Sequence, residues 1–351
     1  TEYVFALNCA VSIVSGIVLL MWKREVKPSV LPGERFIGAM RLGFQYVRES
    51  QGMKNALVRI ASFFLHSTAV FALLPLVAKR FGTGGANTYT LLLASMGVGA
   101  VIMATQLPKL RTRFTRDQVA SVGSMVTGLA IAGLAASPYE WTAAVAMFIA
   151  GSAWILVANS VTIAAQLSLP DWIRARGMSI YQMGIMGATA SGAYMWGKIA
   201  SLSSVPASLA AAGGSMVVVS FLIRGRTLEG TADLTPTHPF DEPVPQLPME
   251  LTDGPIMVTI EYLVDPGRRA EFEAIMAESR SARMRAGAVS WGLFEDVERP
   301  ARFVEYFACD TWADYLRRFD RFTAADKELH ARRHAFHIAE SPPRISRFVA
   351  R

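Results

Sequence analysis

The sequence predicts an all-α membrane bundle of seven transmembrane helices followed by a small α+β domain in the ferredoxin-like arrangement. Three observations carry that prediction. Apolar residues make up 52% of the 351 and charged residues 18%, a balance too oily for an ordinary soluble domain. The apolar residues are concentrated before residue 230, in runs that reach the length of about 20 helical residues needed to cross a bilayer. After residue 255 the pattern becomes strand-like alternation and short amphipathic helices. Charge divides at the same place: residues 1–250 hold 19 Lys and Arg against 12 Asp and Glu, whereas residues 251–351 hold 16 of each, so the net +7 belongs to the oily part. No clustered basic helix, zinc finger or aromatic platform accompanies that charge, and nucleic acid is not an expected partner. Cys9 in an apolar run and Cys309 in a strand form neither a disulfide framework nor a metal site.

The seven runs lie at roughly 3–22, 56–78, 88–107, 118–137, 141–165, 178–199 and 204–224. Glycines recur inside them, and Gly97, Gly99, Gly184, Gly187 and Gly192 are expected to let helices approach closely. Basic residues mark every second connection: Lys23, Arg24, Lys27, Arg35, Arg41, Arg48 and Lys54 in loop 23–55, then Lys109, Arg111, Arg113 and Arg116 in loop 108–117. The third is a short charged hairpin, QLSLPDWIRARGMSIYQMG at 166–184, with Arg174 and Arg176. Between these lie poorer connections with Lys79 and Arg80, with Glu140, and with no charge at 200–203. The positive-inside rule puts the basic connections in the cytoplasm.

An odd number of spans then starts outside and ends inside, without the charged n-region or cleavage pattern of a secretory signal. One span (1–22), a long inner loop (23–55) and six closely spaced spans (56–224) form the order expected of the later part of a twelve-helix protein, with residues 1–22 as its sixth helix. The chain is therefore expected to be truncated. Inside the loop, GERFIGAMRLGFQYVRES sets Phe36, Ile37, Met40, Phe44 and Val47 on one helical face. A helix lying along the inner membrane surface has that pattern, and so has an ordinary amphipathic linker helix.

These residues resemble the major facilitator superfamily, and within it the bacterial subgroup of enterobactin-exporter-like permeases, over about residues 1–225. The resemblance rests on the central loop, on the basic PKLRTRF after the second span of the half, and above all on LPDWIRARGMSIYQMG. There Pro170, Asp171, Arg174, Arg176, Gly177, Met178 and Tyr181 are similar to the family pattern PDRLRGRVMSLY. One departure is visible: the superfamily places an Asp and a Gly among the arginines of its inner loop, whereas LPKLRTRFTRDQ has only Asp117, late in the stretch. The resemblance implies a multi-pass protein of the bacterial inner membrane that exports a small organic molecule, siderophore-like or drug-like, at the expense of a coupling ion such as H+. It also implies that Asp171, Arg174, Arg176 and Tyr181 belong to a cytoplasmic latch that pairs in one conformation and parts in the other. Topological anchoring alone would equally explain the two arginines.

Ionisable and polar groups inside hydrocarbon are costly and point to function. Arg59 and His66 lie seven apart in one span, and Asn159, Ser160, Thr162 and Gln166 fall toward the inner half of another. Arg59, His66, Asn159, Thr162 and Gln166 are the substrate-cavity candidates. For Arg59 the alternative is snorkelling to the inner interface, and for His66 an interhelical packing bond instead of a proton relay.

Residues 225–255 are rich in Pro, Thr and acid and read as an extended linker. In 256–351, IMVTIEYLV reads as a strand, Asp265-Pro266 open a helix with Phe272, Ile275, Met276 and Ser279 on one stripe, and AVSWGLFED and RFVEYFAC read as paired strands around a turn at 298–300. Thr311 with Asp314 and Thr323 with Asp326 have capping-box spacing for two short helices, and RISRFVA closes the set. The order β-α-β-β-α-β is ferredoxin-like, and this tail resembles the dimeric α/β-barrel family of small antibiotic-biosynthesis monooxygenases. Trp291, Tyr306 and Trp312, with Tyr315, are its pocket candidates, against the alternative that they are core. His330, His334 and His337 are spaced for one helical face, but no acidic or cysteine partner stands near them and no metal or other cofactor is expected.

The functional expectation is thus a secondary active transporter, not an enzyme, with a regulatory or dimerising cytoplasmic tail. Its expected partners are a small-molecule substrate, a coupling ion, the lipid bilayer and a second copy bound through the tail. The competing expectations are a membrane-tethered monooxygenase-like enzyme and a ligand sensor acting through the tail.

Overall fold

A computed structural model describes residues 2–23, 31–81, 85–228, 232–238, 240 and 242–351. Arg24 and Lys27 of the basic loop lie outside them. The chain divides into two compact units, Thr1–Glu34 and Arg35–Arg351. The first contains α1 (Glu2–Met21), an apolar helix without a charge from Tyr3 to Met21.

The second unit begins with α2 (Phe36–Glu49), the amphipathic helix of the loop, which buries Leu42, Gly43, Tyr46 and Val47. Six long helices follow: α3 (Gln51–Arg80), α4 (Gly85–Arg111), α5 (Arg116–Ala136), α6 (Glu140–Leu167), α7 (Asp171–Leu202) and α8 (Val205–Leu222). Ser50 caps α3, and Thr115 with Gln118 forms a reciprocal capping box on α5, which fixes where the chain leaves each basic turn. Six helices among the described residues are long and apolar enough to cross a membrane: α1, α3, α4, α5, α6 and α8. The run 178–199 belongs to α7, which is long but carries Asp171, Arg174, Arg176 and Lys198 and is not among the six. The charged stretch 166–184 is correspondingly no hairpin. The turn is confined to 168–170, and from Asp171 onward those residues are the first turns of α7.

Small residues set the helix spacing. A Cβ on Gly99 would collide with the Phe148 carbonyl oxygen, one on Gly151 with that of Met96, and one on Gly192 with that of Leu65, so α4 with α6 and α3 with α7 meet backbone to backbone. Gly184 lies against Leu57. Gly97 and Gly187, however, face open space, because their positions fall on the outer side of the same helices.

The tail is a four-stranded antiparallel sheet of order β2-β3-β1-β4, built from β1 (Ile256–Leu263), β2 (Ser290–Glu295), β3 (Arg302–Cys309) and β4 (Arg344–Val349). Three helices complete it: α9 (Arg269–Arg285), α10 (Trp312–Asp320) and α11 (Ala324–His334). Strand parity decides the core, since Ile256, Val258, Ile260 and Tyr262 of β1 and Phe303, Glu305, Phe307 and Cys309 of β3 are all buried. Phe272, Ile275, Met276 and Ser279 are the buried stripe of α9. Thr311 and Thr323 accept from the Asp314 and Asp326 amides and start α10 and α11. The connecting segment is tied to the bundle at its start and to α11 further along: Leu228 N donates to Asp117 Oδ1 at 2.8 Å, and the Thr235 and Asp233 carbonyls accept from Ala324 and Ala325 N, each at 2.9 Å.

Candidate functional site

The bundle and the tail meet at the end that carries the basic turns. On α2, Gln45 Nε2 donates to the Met284 and Ala288 carbonyls at 2.7 and 2.6 Å, so one side chain caps the C-terminal end of α9. One helical turn along, Glu49 accepts from Ser281 Oγ at 3.0 Å and faces Arg280 at 3.5 Å, and one turn the other way Arg41 pairs with Asp310. The tail also reaches the α6–α7 corner. Trp172 stands edge-on to Tyr46 of α2, with ring centroids 5.8 Å apart, and under Arg321 of the tail, whose guanidinium lies 4.5 Å from the ring. These groups border a cavity of about 310 Å³ that includes Ser168, Arg285 and Asp326.

The latch candidates separate into two groups. Asp171 and Arg174 pair with each other at 2.6 Å within the first turn of α7, and Arg176 packs beside Gly43 of α2. Tyr181 is not at the surface: it is buried, with its hydroxyl 3.1 Å from Thr162 Oγ1, and so ties α7 to α6.

The cavity candidates are likewise dispersed. Arg59 is enclosed by protein groups. It is 6% exposed, donates to the Arg226 and Arg224 carbonyls at 2.8 Å each and to Ser121 Oγ at 3.1 Å, and pairs with Asp117 Oδ1 at 3.2 Å. It therefore ties α3 and α5 to the turn that follows α8. Asp117, the displaced acid of the inner-loop pattern, completes this tie by holding Leu228 as well. His66 Nδ1 lies 2.6 Å from the Ser62 carbonyl oxygen, which requires Nδ1 to donate and leaves Nε2 as the basic nitrogen. Its ring lies against Trp196, 5.9 Å between centroids. Asn159 binds Arg111, and Gln166 is exposed on α6. A small cavity lined by Arg59, Ser62 and Ser121 includes none of the other four.

Three polar atoms in the middle of the long helices were not singled out from sequence: Ser67 Oγ on α3, Trp154 Nε1 on α6 and Thr189 Oγ1 on α7 are buried and make no hydrogen bond within the protein. A serine, a tryptophan and a threonine in apolar runs carry no signal of their own, and only packing reveals that their polar atoms lack acceptors.

In the tail, Glu305 is fully buried. It receives Arg283 Nε and Nη2 at 3.0 and 3.3 Å, Trp291 Nε1 at 3.0 Å and the Tyr262 hydroxyl at 3.3 Å, with Arg333 at 3.8 Å. Burial pushes this carboxyl up, but the Arg283 and Arg333 guanidiniums overcome it and hold it at about 2. His330 is pushed down to about 4, by burial first and by Arg333 second. A cavity of about 470 Å³ lies between the sheet and the three helices. Of the aromatic candidates only Tyr315 lines it. Trp291 is spent on Glu305, Trp312 lies tilted against Tyr315 with ring centroids 5.3 Å apart, and Tyr306 projects from the opposite face of β3, where it stacks on Phe294 at 5.7 Å. The histidine triplet also dissolves: α11 ends at His334, and His337 instead accepts from Leu263 N at 3.0 Å. Among the described residues no group of His, Cys, Asp and Glu has a metal-binding arrangement.

The family model for transmembrane secretion effectors, MFS_3, matches residues 1–351, so the chain belongs to that family of membrane transport proteins. No curated protein matches it. A solved structure described as an antibiotic biosynthesis monooxygenase from Bordetella bronchiseptica is similar at 29% identity, covering 27% of this chain and 95% of that one with a TM-score of 0.24.

Proposed function

We propose that this chain is the later part of a twelve-helix secondary active exporter of a small organic molecule, with a cytoplasmic tail that regulates transport. Membership of the transmembrane secretion effector family is the observation that carries the reading and favours it over a tethered enzyme. In this reading α7 is also a span, which brings the count to seven. Its charged start lies at the basic, inner end, and Tyr181 and Thr189 lie within the bundle, where polar groups in a bilayer are tolerated. Ser67, Trp154 and Thr189 are the substrate contacts at mid-membrane, and His66 Nε2 is the proton carrier. Arg59 with Asp117 holds the inner end together, while Asp171, Arg174 and Arg176 form the moving side of the latch.

The contacts of Gln45, Glu49 and Trp172 support regulation, because any ligand or partner that shifts α9 must also act on α2 and the α6–α7 corner. The strand order β2-β3-β1-β4 supports a ferredoxin-like reading of the tail, whose sheet leaves Phe294, Phe348 and Met257 61%, 49% and 41% exposed on the face away from the helices. A second copy is the proposed cover for that face.

Cells making the native protein should be compared with non-expressing cells for accumulation of a panel of siderophore-like and drug-like compounds. At least one compound is expected to be depleted, and an uncoupler should abolish the depletion. Equal accumulation of the whole panel, with chemical turnover of a compound by the protein, would replace the exporter by the tethered enzyme.

A further inference from the structure

We propose that the tail cavity is a binding site for an apolar organic anion, a carboxylate or similar group on a ring-sized apolar body. The charge inventory carries it. Four arginines line the cavity, Arg283, Arg318, Arg333 and Arg347, against one lining carboxylate, Asp326, with Glu305 buried behind Arg283. Glu305 is saturated by Arg283, Arg333, Trp291 and Tyr262. Asp326 is held by Thr323 at 2.7 Å and shared with Arg285 at 3.9 Å. Neither carboxylate reaches Arg318.

Arg318 is the decisive residue. It is 8% exposed, and its contacts are a weak bond to Cys309 Sγ at 3.8 Å and the face of Phe307, 3.9 Å from the guanidinium carbon. Among the described residues no carboxylate lies within ion-pair distance of it. A buried cation of this kind costs several kcal/mol unless a counter-charge shares the site, and a thiol and a ring face are weak substitutes. Arg347 stands on β4 across the cavity and, among the described residues, is bonded only to the neutral Tyr315 hydroxyl at 2.7 Å. Two guanidiniums without a carboxylate thus line a space whose apolar wall includes Val258, Ile260, Phe307, Phe319 and Leu329. A volume of about 470 Å³ suits a molecule of one to three rings. Arginine's planar fork fits a carboxylate, and the apolar walls exclude an inorganic ion as the best occupant.

This site does not require that the tail regulate transport, and its test measures binding without flux. The probes are 2-naphthoate and its neutral counterpart 2-naphthol, titrated calorimetrically into the full chain in detergent. Naphthoate should bind once per chain, and naphthol at least about tenfold more weakly, the loss expected for one charge-assisted contact. Arg318→Met should weaken naphthoate by about tenfold or more and leave naphthol unchanged, the latter showing that the cavity is intact. Should that variant not fold, Arg347→Met, at an exposed position, should still weaken naphthoate selectively. Naphthol binding as tightly as naphthoate would overturn the proposal. So would the absence of saturable naphthoate binding in the millimolar range, or indifference of naphthoate to both substitutions.

Discussion

The bundle and the tail each bury a guanidinium, and they do so in opposite ways. Arg59 in the bundle is satisfied: two carbonyls in the turn after α8, one hydroxyl and one carboxylate take up its donors, so it is a structural tie between α3, α5 and the chain leaving α8. The tail concentrates four arginines around a cavity and gives its buried carboxylate to two of them, leaving Arg318 with a thiol and a ring. A buried charge alone is therefore a poor sign of a ligand site. What distinguishes the two regions is whether the protein itself supplies the counter-charge.

The strongest way to break that contrast is to remove the carboxylate. Glu305→Gln leaves Arg283 and Arg333 buried without their partner and is expected to destabilise the tail by about 3–5 kcal/mol, seen as a lowered tail unfolding transition with the bundle transition unchanged. Smaller is the effect of filling a helix contact. Gly151→Ala, which would drive a Cβ into the Met96 carbonyl, should cost about 1–3 kcal/mol, whereas Gly97→Ala should be neutral. Thermal unfolding of the detergent-solubilised pair compares them directly.

Acid sharpens the comparison further. Glu305 has its pKa lowered to about 2 in the folded tail, so its stabilisation is complete above the ordinary carboxylate value and is lost as pH falls toward 2. His330, lowered to about 4, acts in the same direction at higher pH: the unfolded chain takes up a proton near 6.5 that the folded tail refuses until about 4. Tail stability should thus decline from about pH 6.5 downward, through His330 as far as about pH 4 and through Glu305 from the ordinary carboxylate value toward about pH 2. Denaturant titrations at stepped pH measure this, and His330→Gln should remove the upper part of the decline. The smallest effect is that of Thr323→Ala, which removes the cap of α11 and should cost about 1 kcal/mol.

Much of the fold was legible because it rests on local patterns. Apolar runs marked the helices, and Thr311, Thr323 and the Phe272 stripe marked the tail elements within a few residues. The hairpin at 166–184 was misread because Asp171 and the two arginines resemble a loop in composition, although Asp171 just after Pro170 is also how a helix begins. The sites were less legible, since they depend on residues distant in sequence. Arg59 stood out as a charge in an apolar run, but its carbonyl partners lie more than 160 positions away. In β3 the alternation of Phe303, Glu305, Phe307 and Cys309 already put Glu305 on the inner face and Tyr306 on the outer. Trp291 has the right parity but is consumed by Glu305, which no periodicity reveals.

Thiol labelling at Leu42 decides whether the tail is seated on α2 at the inner end of a membrane bundle. This residue is 8% exposed on α2 and lies against Gly287 of the tail. In a Cys9→Ser background, Leu42→Cys should react slowly with a membrane-impermeant maleimide in inside-out vesicles. It should react many times faster once the tail has been cleaved off at the connecting segment, and not at all in sealed right-side-out vesicles. Equal rates with and without the tail, or labelling from the outside, would contradict the account.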